Sequence, residues 1–164
     1  MTQTSIEILT RDEAELRKVG ATLAHACLPG TIVFLEGELG AGKTTLVRGF
    51  LNALGHQDSV KSPTYALVEP YHLPKHDIFH FDLYRLHKPE TLEEIGIRDY
   101  MTPTAIFLIE WPDRGVGKLP TSDLICQIEF DTVGRKIFIQ ATTPKGQTVL
   151  QQIELHKPNF SKKI

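Results

Sequence analysis

One stretch, residues 37–45, limits the fold of this chain more than any other. It reads Gly-Glu-Leu-Gly-Ala-Gly-Lys-Thr-Thr, which has the GxxxxGKS/T spacing of a phosphate-binding P-loop. An apolar run at residues 31–36 precedes it, and an amphipathic segment at residues 46–54 follows it. An ordinary glycine turn does not explain a strand before it and a helix after it. The stretch therefore predicts an α/β fold with a nucleotide phosphate site.

The backbone amides of this loop, and the N-terminus of the helix after it, are expected to bind phosphate oxygens. Lys43 supplies a mobile positive charge for the terminal phosphates, and the Thr44 hydroxyl is expected to ligate Mg²⁺. The residues predicted to contact the nucleotide within this stretch are Glu38, Leu39, Gly40, Ala41, Gly42, Lys43, Thr44 and Thr45.

Composition is that of an ordinary globular protein. The 164 residues are 41% hydrophobic and 23% charged, so we expect one domain over residues 1–164, with a flexible tail from about residue 156. A net charge of -2 argues against a broad nucleic-acid footprint. Cys27 and Cys126 lie in apolar patterns and are expected to be buried thiols. No signal peptide is visible, and no apolar run approaches the ~18 residues that span a bilayer, so a cytoplasmic protein without membrane association is predicted.

Period-two and apolar runs predict the strands. Residues 65–71 and 78–83 are expected to pair antiparallel, the wholly apolar run 105–109 to form a central strand, and residues 124–130 and 135–141 to form a hairpin. A short strand is also expected at residues 6–9. The predicted architecture is a three-layer P-loop NTPase-like fold with a mixed, largely parallel central sheet and a C-terminal β-hairpin.

Capping and breaker residues predict the helices. Thr10 and Glu13 have the spacing of a capping box, and the helix after them is expected to stop at Pro29 and Gly30. Gly55 is expected to end the helix after the P-loop. A further helix is predicted over residues 89–97. Residues 146–155 are compatible with either a helix or a strand.

Two carboxylates follow predicted strands where a P-loop protein needs an acid for Mg²⁺. Glu110 directly follows the apolar strand, which is the usual setting of a Walker B acid, at the carboxyl edge of the sheet where ligands bind. Asp82 lies near the end of the strand that begins at Ile78, and a solvated edge-strand carboxylate is the alternative for it. The four histidines at positions 72, 76, 80 and 87 are interpreted as solvated rather than zinc ligands. Trp111 is compatible with the site, a partner surface or the core.

Four segments together resemble the TsaE family. They are residues 37–45, Ser-Pro-Thr-Tyr at 62–65, His-Phe-Asp-Leu-Tyr-Arg-Leu at 80–86 and Ile-Glu-Trp-Pro at 109–112. The resemblance covers nearly the whole stretch from Thr10 to Ala141. Tyr65 departs from it, because many relatives carry Phe there. The resemblance implies an ATPase required for threonylcarbamoyladenosine modification of tRNA.

Roles for single residues follow from that resemblance. ATP and Mg²⁺ are the implied cofactors, with Lys43 on the phosphates and Thr44 and Glu110 on the metal. Asp82 is implied to assist through metal-bound water or by activating the attacking water, which makes Lys43, Asp82 and Glu110 the catalytic candidates. Thr10 and Arg135 are further nucleotide-contact candidates. Residues 62–64 resemble a switch-like loop near the γ-phosphate, and a plain turn is the alternative.

The resemblance also implies partners. TsaE relatives act with TsaD and TsaB, which implies that tRNA is reached indirectly through that complex and that ATP hydrolysis resets the complex. Turnover by the isolated protein is then expected to be slow. A small-molecule kinase is the alternative, although no long arginine-bearing lid insertion is visible. A GTPase-type switch has no support, because the guanine-reading Asn-Lys-x-Asp motif is absent from the sequence.

Overall fold

The computed structural model describes residues 4–63 and 66–160. These residues form a seven-stranded sheet flanked by helices. The strands in chain order are β1 (Ser5–Thr10), β2 (Ile32–Glu36), β3 (Val68–His72), β4 (Asp77–Asp82), β5 (Ile106–Glu110), β6 (Leu124–Phe130) and β7 (Arg135–Ala141). Their order across the sheet is β1-β7-β6-β2-β5-β4-β3.

The centre of the sheet is parallel. β2 pairs in parallel with β5 and β6, and β5 pairs in parallel with β4. β3 runs antiparallel to β4, and β7 runs antiparallel to both β6 and β1. Every residue of β5 is buried, because the strand has a neighbour on each side and a layer on each face. The mixed sheet, the central strand and the C-terminal hairpin are thus confirmed.

Helices lie on both faces of the sheet. They are α1 (Glu13–Ala26), α2 (Lys43–Ala53), α3 (Thr91–Glu94), α4 (Ile97–Tyr100) and α5 (Pro144–His156). Buried residues of α1, α2 and α5 share one apolar core with one face of the sheet. Leu92 of α3 and Ile97 of α4 share a smaller core with Phe79, Phe81 and Phe107 on the other face. This is the predicted three-layer arrangement.

Residues 146–155, whose sequence is compatible with either a helix or a strand, lie in the helix α5. Thr143 is the N-cap of α5, and its hydroxyl accepts a hydrogen bond from the amide of Gly146. Pro144 occupies the first turn, where a missing N–H costs nothing. Among the described residues, none of the helices is both long and apolar enough to cross a membrane.

The predicted capping box at Thr10 is wrong. Thr10 is the last residue of β1, where it pairs with Arg135, so it is not free to cap a helix. Asp12 is the N-cap of α1 and accepts a hydrogen bond from the amide of Glu15. Glu15 in turn accepts from the amide of Arg11 at 2.7 Å. Side-chain capping therefore exists, although Glu15 accepts from the residue before the N-cap, and the pairing of β1 with β7 moves the cap along the chain.

The single helix predicted over residues 89–97 is also wrong. Gly96 has a φ of 75°, a left-handed conformation that breaks an α-helix, and the chain forms α3 and α4 on either side of it.

At the end of α2, Gly55 has a φ of 108°. Its amide donates to the carbonyl of Asn52, and the amide of His56 donates to that of Leu51, which is the Schellman pattern. Gly55 is therefore the predicted helix stop.

α1 and α2 cross at unusually short range. A Cβ on Gly20 of α1 would lie 2.1 Å from the carbonyl oxygen of Leu46, and a Cβ on Gly49 of α2 would lie 2.1 Å from that of Arg17. Each helix thus presents a glycine to the backbone of the other. The contact fixes α2, and with it the P-loop, against the rest of the domain.

The two cysteines are buried and unpaired, as predicted. Burial raises the pKa of the Cys126 thiol to about 12 and raises the pKa of Cys27 further. Both side chains therefore act as small apolar groups of the core.

Candidate nucleotide site

The loop at residues 37–45 joins β2 to α2 at the carboxyl edge of the parallel strands. Gly42 is the N-cap of α2 and has a φ of 116°, a conformation that disfavours residues with a Cβ. A Cβ at this position would also lie 2.5 Å from Cδ2 of Leu16 in α1. The turn therefore needs glycine for both its backbone shape and its packing.

The N-terminus of α2 is suited to an anion. Gly42 has no side chain to cap it, and the first turn of α2 contains no acidic residue. The helix dipole and the amides of the first turn therefore face the loop without a competing carboxylate from that turn. The adjoining cleft has a volume of about 450 Å³. It is lined by Leu39, Gly40, Gly42, Lys43, Thr44, Thr45, Ser62, Asp82, Tyr84, Arg85, Glu110 and Trp111.

Lys43 is folded over the loop. Its Nζ donates hydrogen bonds to the carbonyl oxygens of Gly37, at 2.6 Å, and Glu38, at 3.0 Å. The same atom lies 4.3 Å from the ring centroid of Trp111. Burial lowers the pKa of Lys43, and the charges of Glu110 and Asp82 act in the opposite direction. A bound phosphate would offer this ammonium group a charged partner in place of two carbonyls.

Glu110 lies next to Thr44. The Oγ1 of Thr44 is 3.3 Å from Oε2 and 3.5 Å from Oε1 of Glu110, which is 3% exposed at the end of β5. Hydroxyl and carboxylate oxygens are the donors that Mg²⁺ prefers, and Mg²⁺ usually keeps several waters and phosphate oxygens as further ligands. A Thr–Glu pair at a P-loop fits that requirement. Among the described residues, no cluster of three or more His, Cys, Asp or Glu side chains could hold a metal ion.

Asp82 is beside Glu110 but has different partners. The two acids are paired in register on β4 and β5, and the period of two places both on the α2 face of the sheet. One oxygen of Asp82 accepts from the hydroxyl of Ser62, and the other accepts from the amide of Tyr84 at 3.1 Å. Asp82 is therefore held in the cleft but is not hydrogen-bonded to Thr44 in the described contacts. The structure brings together both acids that the sequence singled out.

The segment at residues 62–65 is described only in part. Ser62 contacts Asp82 as stated, and the carbonyl of Pro63 accepts from the amide of Leu67 at 2.9 Å. Thr64 and Tyr65 lie outside the described residues. The switch-like role and the plain turn both remain predictions.

Thr10 and Arg135 lie on the other side of the loop. Nε of Arg135 donates to the carbonyl oxygen of Ala41 at 2.8 Å, and its guanidinium carbon lies 4.4 Å from the ring centroid of Phe130. The Thr10 hydroxyl contacts the Arg135 carbonyl at 3.5 Å. Arg135 thus braces the P-loop backbone. A second, smaller cleft adjoins this contact and is lined by residues 11–13, Leu16, residues 40–42, Thr45, Gly134 and Arg135.

His80 was not predicted as part of the site, and its interpretation as a solvated histidine is wrong. Its side chain is fully buried, and its Nε2 is 2.6 Å from Oε2 of Glu110. His72 and His87 are exposed, as expected. The signal that could have found His80 is the period of two along β4, which places Ile78, His80 and Asp82 on one face of the sheet, the α2 face that also carries Glu110.

Trp111 belongs to the site. It lines the cleft, has a φ of 58°, and lies with its ring centroid 5.0 Å from that of Tyr84. The guanidinium carbon of Arg114 lies 5.7 Å from the Trp111 ring and 5.4 Å from the Tyr84 ring. Positive φ is uncommon for a bulky residue, and here it turns the chain directly after Glu110.

Comparisons with known proteins agree with this geometry. The profile of the family described as "Threonylcarbamoyl adenosine biosynthesis protein TsaE" matches residues 10–137. A TsaE protein of Haemophilus influenzae is 45% identical over 144 residues, covering 85% of this chain and 91% of that protein. A TsaE protein of Bacillus subtilis is 29% identical over 150 residues, covering 90% of this chain and 92% of that protein.

A solved structure, YdiB from Bacillus subtilis, has the same fold. It superposes with a TM-score of 0.81 at 24% identity and covers 96% of this chain and 99% of its own. Together with the P-loop, the neighbouring strand-end acids and the family profile over residues 10–137, these comparisons show that the chain belongs to the TsaE family, which functions in threonylcarbamoyladenosine biosynthesis.

Proposed function

We propose that this TsaE-family protein is a magnesium-dependent ATPase that acts with TsaB and TsaD in the modification of tRNA. The observation that carries the proposal is the position of the Thr44 hydroxyl, 3.3 Å from the Glu110 carboxylate at the start of the P-loop helix. A nucleotide that binds the loop through its phosphates brings its terminal phosphate to this pair. A cytoplasmic location is part of the proposal.

The chain's own residues account for the binding step. The loop amides and the N-terminus of α2 hold the phosphate oxygens, and Lys43 exchanges its carbonyl partners for phosphate oxygens. Thr44 and Glu110 would hold Mg²⁺, which when bound supplies positive charge against the β- and γ-phosphates. Phosphoryl transfer depends mainly on such positioning and charge neutralisation.

Asp82 is the residue best placed to act on the attacking water. Its two oxygens are held by Ser62 and by the amide of Tyr84, so the carboxylate has a fixed orientation beside Glu110. A carboxylate fixed in this way could accept a hydrogen bond from the water that attacks the terminal phosphate. Asp82 thereby orients the nucleophile, while Glu110 and Thr44 serve the metal.

Two features support dependence on partners. The cleft is open to solvent and is bordered by Leu39, which is 67% exposed at the loop. A partner that covers this edge would exclude water and complete the site. The net charge of -2 favours recruitment through proteins over an extensive contact with tRNA, and the ATP hydrolysed would reset the TsaB–TsaD complex for a further turnover.

The test is phosphate release from ATP by the purified protein, alone and with TsaB and TsaD. We expect slow, Mg²⁺-dependent release that increases with both partners present and is impaired in Glu110→Gln under the same conditions. Fast release that neither partner changes would contradict the proposed dependence. The same assay addresses the kinase alternative, because a kinase transfers phosphate to an added small-molecule acceptor rather than to water.

A further inference from the structure

His80 is a fully buried polar side chain where the apolar core meets the acids of the site. It is 0% exposed, and on its face of the sheet it lies between Ile78 and Asp82 on β4, opposite Leu108 on β5. An aliphatic or aromatic side chain would fill such a position without burying polar atoms. A function of the imidazole, rather than its volume, is needed to explain the residue.

The polar contact of His80 is concentrated on one atom. Nε2 lies 2.6 Å from Oε2 of Glu110, whereas Nδ1 is buried without a hydrogen-bond partner among the described residues. An ionised carboxylate carries no hydrogen, so Nε2–H is the donor whenever Glu110 serves as a metal ligand. The one described hydrogen bond of the His80 ring is therefore made to Glu110, the acid next to Thr44.

We propose that His80 is a positioning residue that fixes the Glu110 carboxylate for Mg²⁺, an inference that rests on the proposed function. Oε2 is held by the imidazole from the side of β4, so the carboxylate cannot rotate freely about its terminal bond. In this orientation both carboxylate oxygens stay beside the Thr44 hydroxyl, Oε2 at 3.3 Å and Oε1 at 3.5 Å. Partners of this kind typically change metal affinity or activity by roughly 10- to 100-fold when they are removed.

Three substitutions of His80, with one control variant, distinguish a positioning role from simple packing. His80→Phe keeps a ring of similar size but removes the donor. His80→Gln places an amide N–H close to the position of Nε2, whereas the shorter amide of His80→Asn lies close to the position of Nδ1 and does not reach Glu110. Phe79→Leu is the matched control, since Phe79 is a buried residue of the same strand whose side chain packs on the opposite face.

The measurement is the binding of a fluorescent, non-hydrolysable ATP analogue, first with EDTA and then over a Mg²⁺ titration, with thermal unfolding as the check on folding. We expect the Mg²⁺ concentration at half-maximal effect to rise at least about tenfold in His80→Phe, with analogue binding in EDTA unchanged. His80→Gln should recover most of the wild-type value, and Phe79→Leu should match wild type.

A folded His80→Phe with a wild-type Mg²⁺ midpoint would overturn the inference, as would Phe79→Leu shifting the midpoint as far as His80→Phe does. If His80→Phe does not fold, the pair His80→Gln and His80→Asn decides, and equal midpoints in the two would overturn the inference. Absence of any Mg²⁺ effect in the wild-type protein would instead remove the proposed ATPase function, and the positioning role with it.

Discussion

Replacing Lys43 by alanine is the sharpest single test of the P-loop. The lysine now donates to two carbonyl oxygens, at 2.6 and 3.0 Å, and a bound nucleotide would exchange these for phosphate oxygens. Hydrogen bonds to charged groups contribute about 1.5–3 kcal/mol each. If the exchange leaves a net gain equal to one such bond, its loss lowers ATP affinity by roughly 10- to 100-fold, since about 1.4 kcal/mol corresponds to tenfold.

The assay is calorimetric titration of Mg²⁺-ATP into wild-type protein and Lys43→Ala. Lys75→Ala is the matched control, because it also removes one positive charge but lies in the turn between β3 and β4, at the amino end of β4 and away from the carboxyl edge. Its affinity should equal that of wild type. Unchanged ATP affinity in a folded Lys43→Ala would refute the assignment of the loop as the phosphate site.

Three further predictions concern the acid, the lysine charge and the helix crossing. Glu110→Gln should keep most nucleotide affinity but lower Mg²⁺-dependent phosphate release at least about tenfold; normal release would move the metal role to Asp82. Burial lowers the pKa of Lys43, so the lysine loses its charge at a pH below the ordinary lysine pKa of 10.5. ATP affinity, measured by titration at rising pH, should therefore begin to decrease before pH 10.5 is reached, and Lys43→Ala should not show this decrease. Gly49→Ala should destabilise the fold by about 2 kcal/mol through a clash with α1, lowering the Tm in thermal unfolding by roughly 5 °C, while the exposed change Asn52→Ala should stay near wild type.

Local patterns were sufficient for much of the fold. The P-loop, the buried strand β5 and the hairpin of β6 and β7 follow from glycine spacing, a continuous apolar run and period-two alternation. Glu110 and Asp82 could each be selected as a candidate metal acid, because each lies at or near the end of a predicted strand. In each case, neighbouring residues in the sequence carry the information.

The remaining features depend on contacts between distant segments. Thr10 has the residue type and spacing of a helix N-cap. It pairs with Arg135 as the last residue of β1, however, and Asp12 caps α1 instead. Gly49 sits in an unremarkable helical pattern, and only the backbone of α1 explains it. His80 reads as one polar residue among four histidines until β4 and β5 align it with Glu110.

Crystals of the protein with a non-hydrolysable ATP analogue and Mn²⁺ in place of Mg²⁺ test the central claim most directly, because anomalous scattering locates the metal. The account predicts the phosphates within residues 37–45, Lys43 turned from the carbonyl of Gly37 to a phosphate, and a metal peak bound by the Thr44 hydroxyl beside Glu110. Phosphates bound outside this loop, or a metal peak away from Thr44 and Glu110, would contradict it.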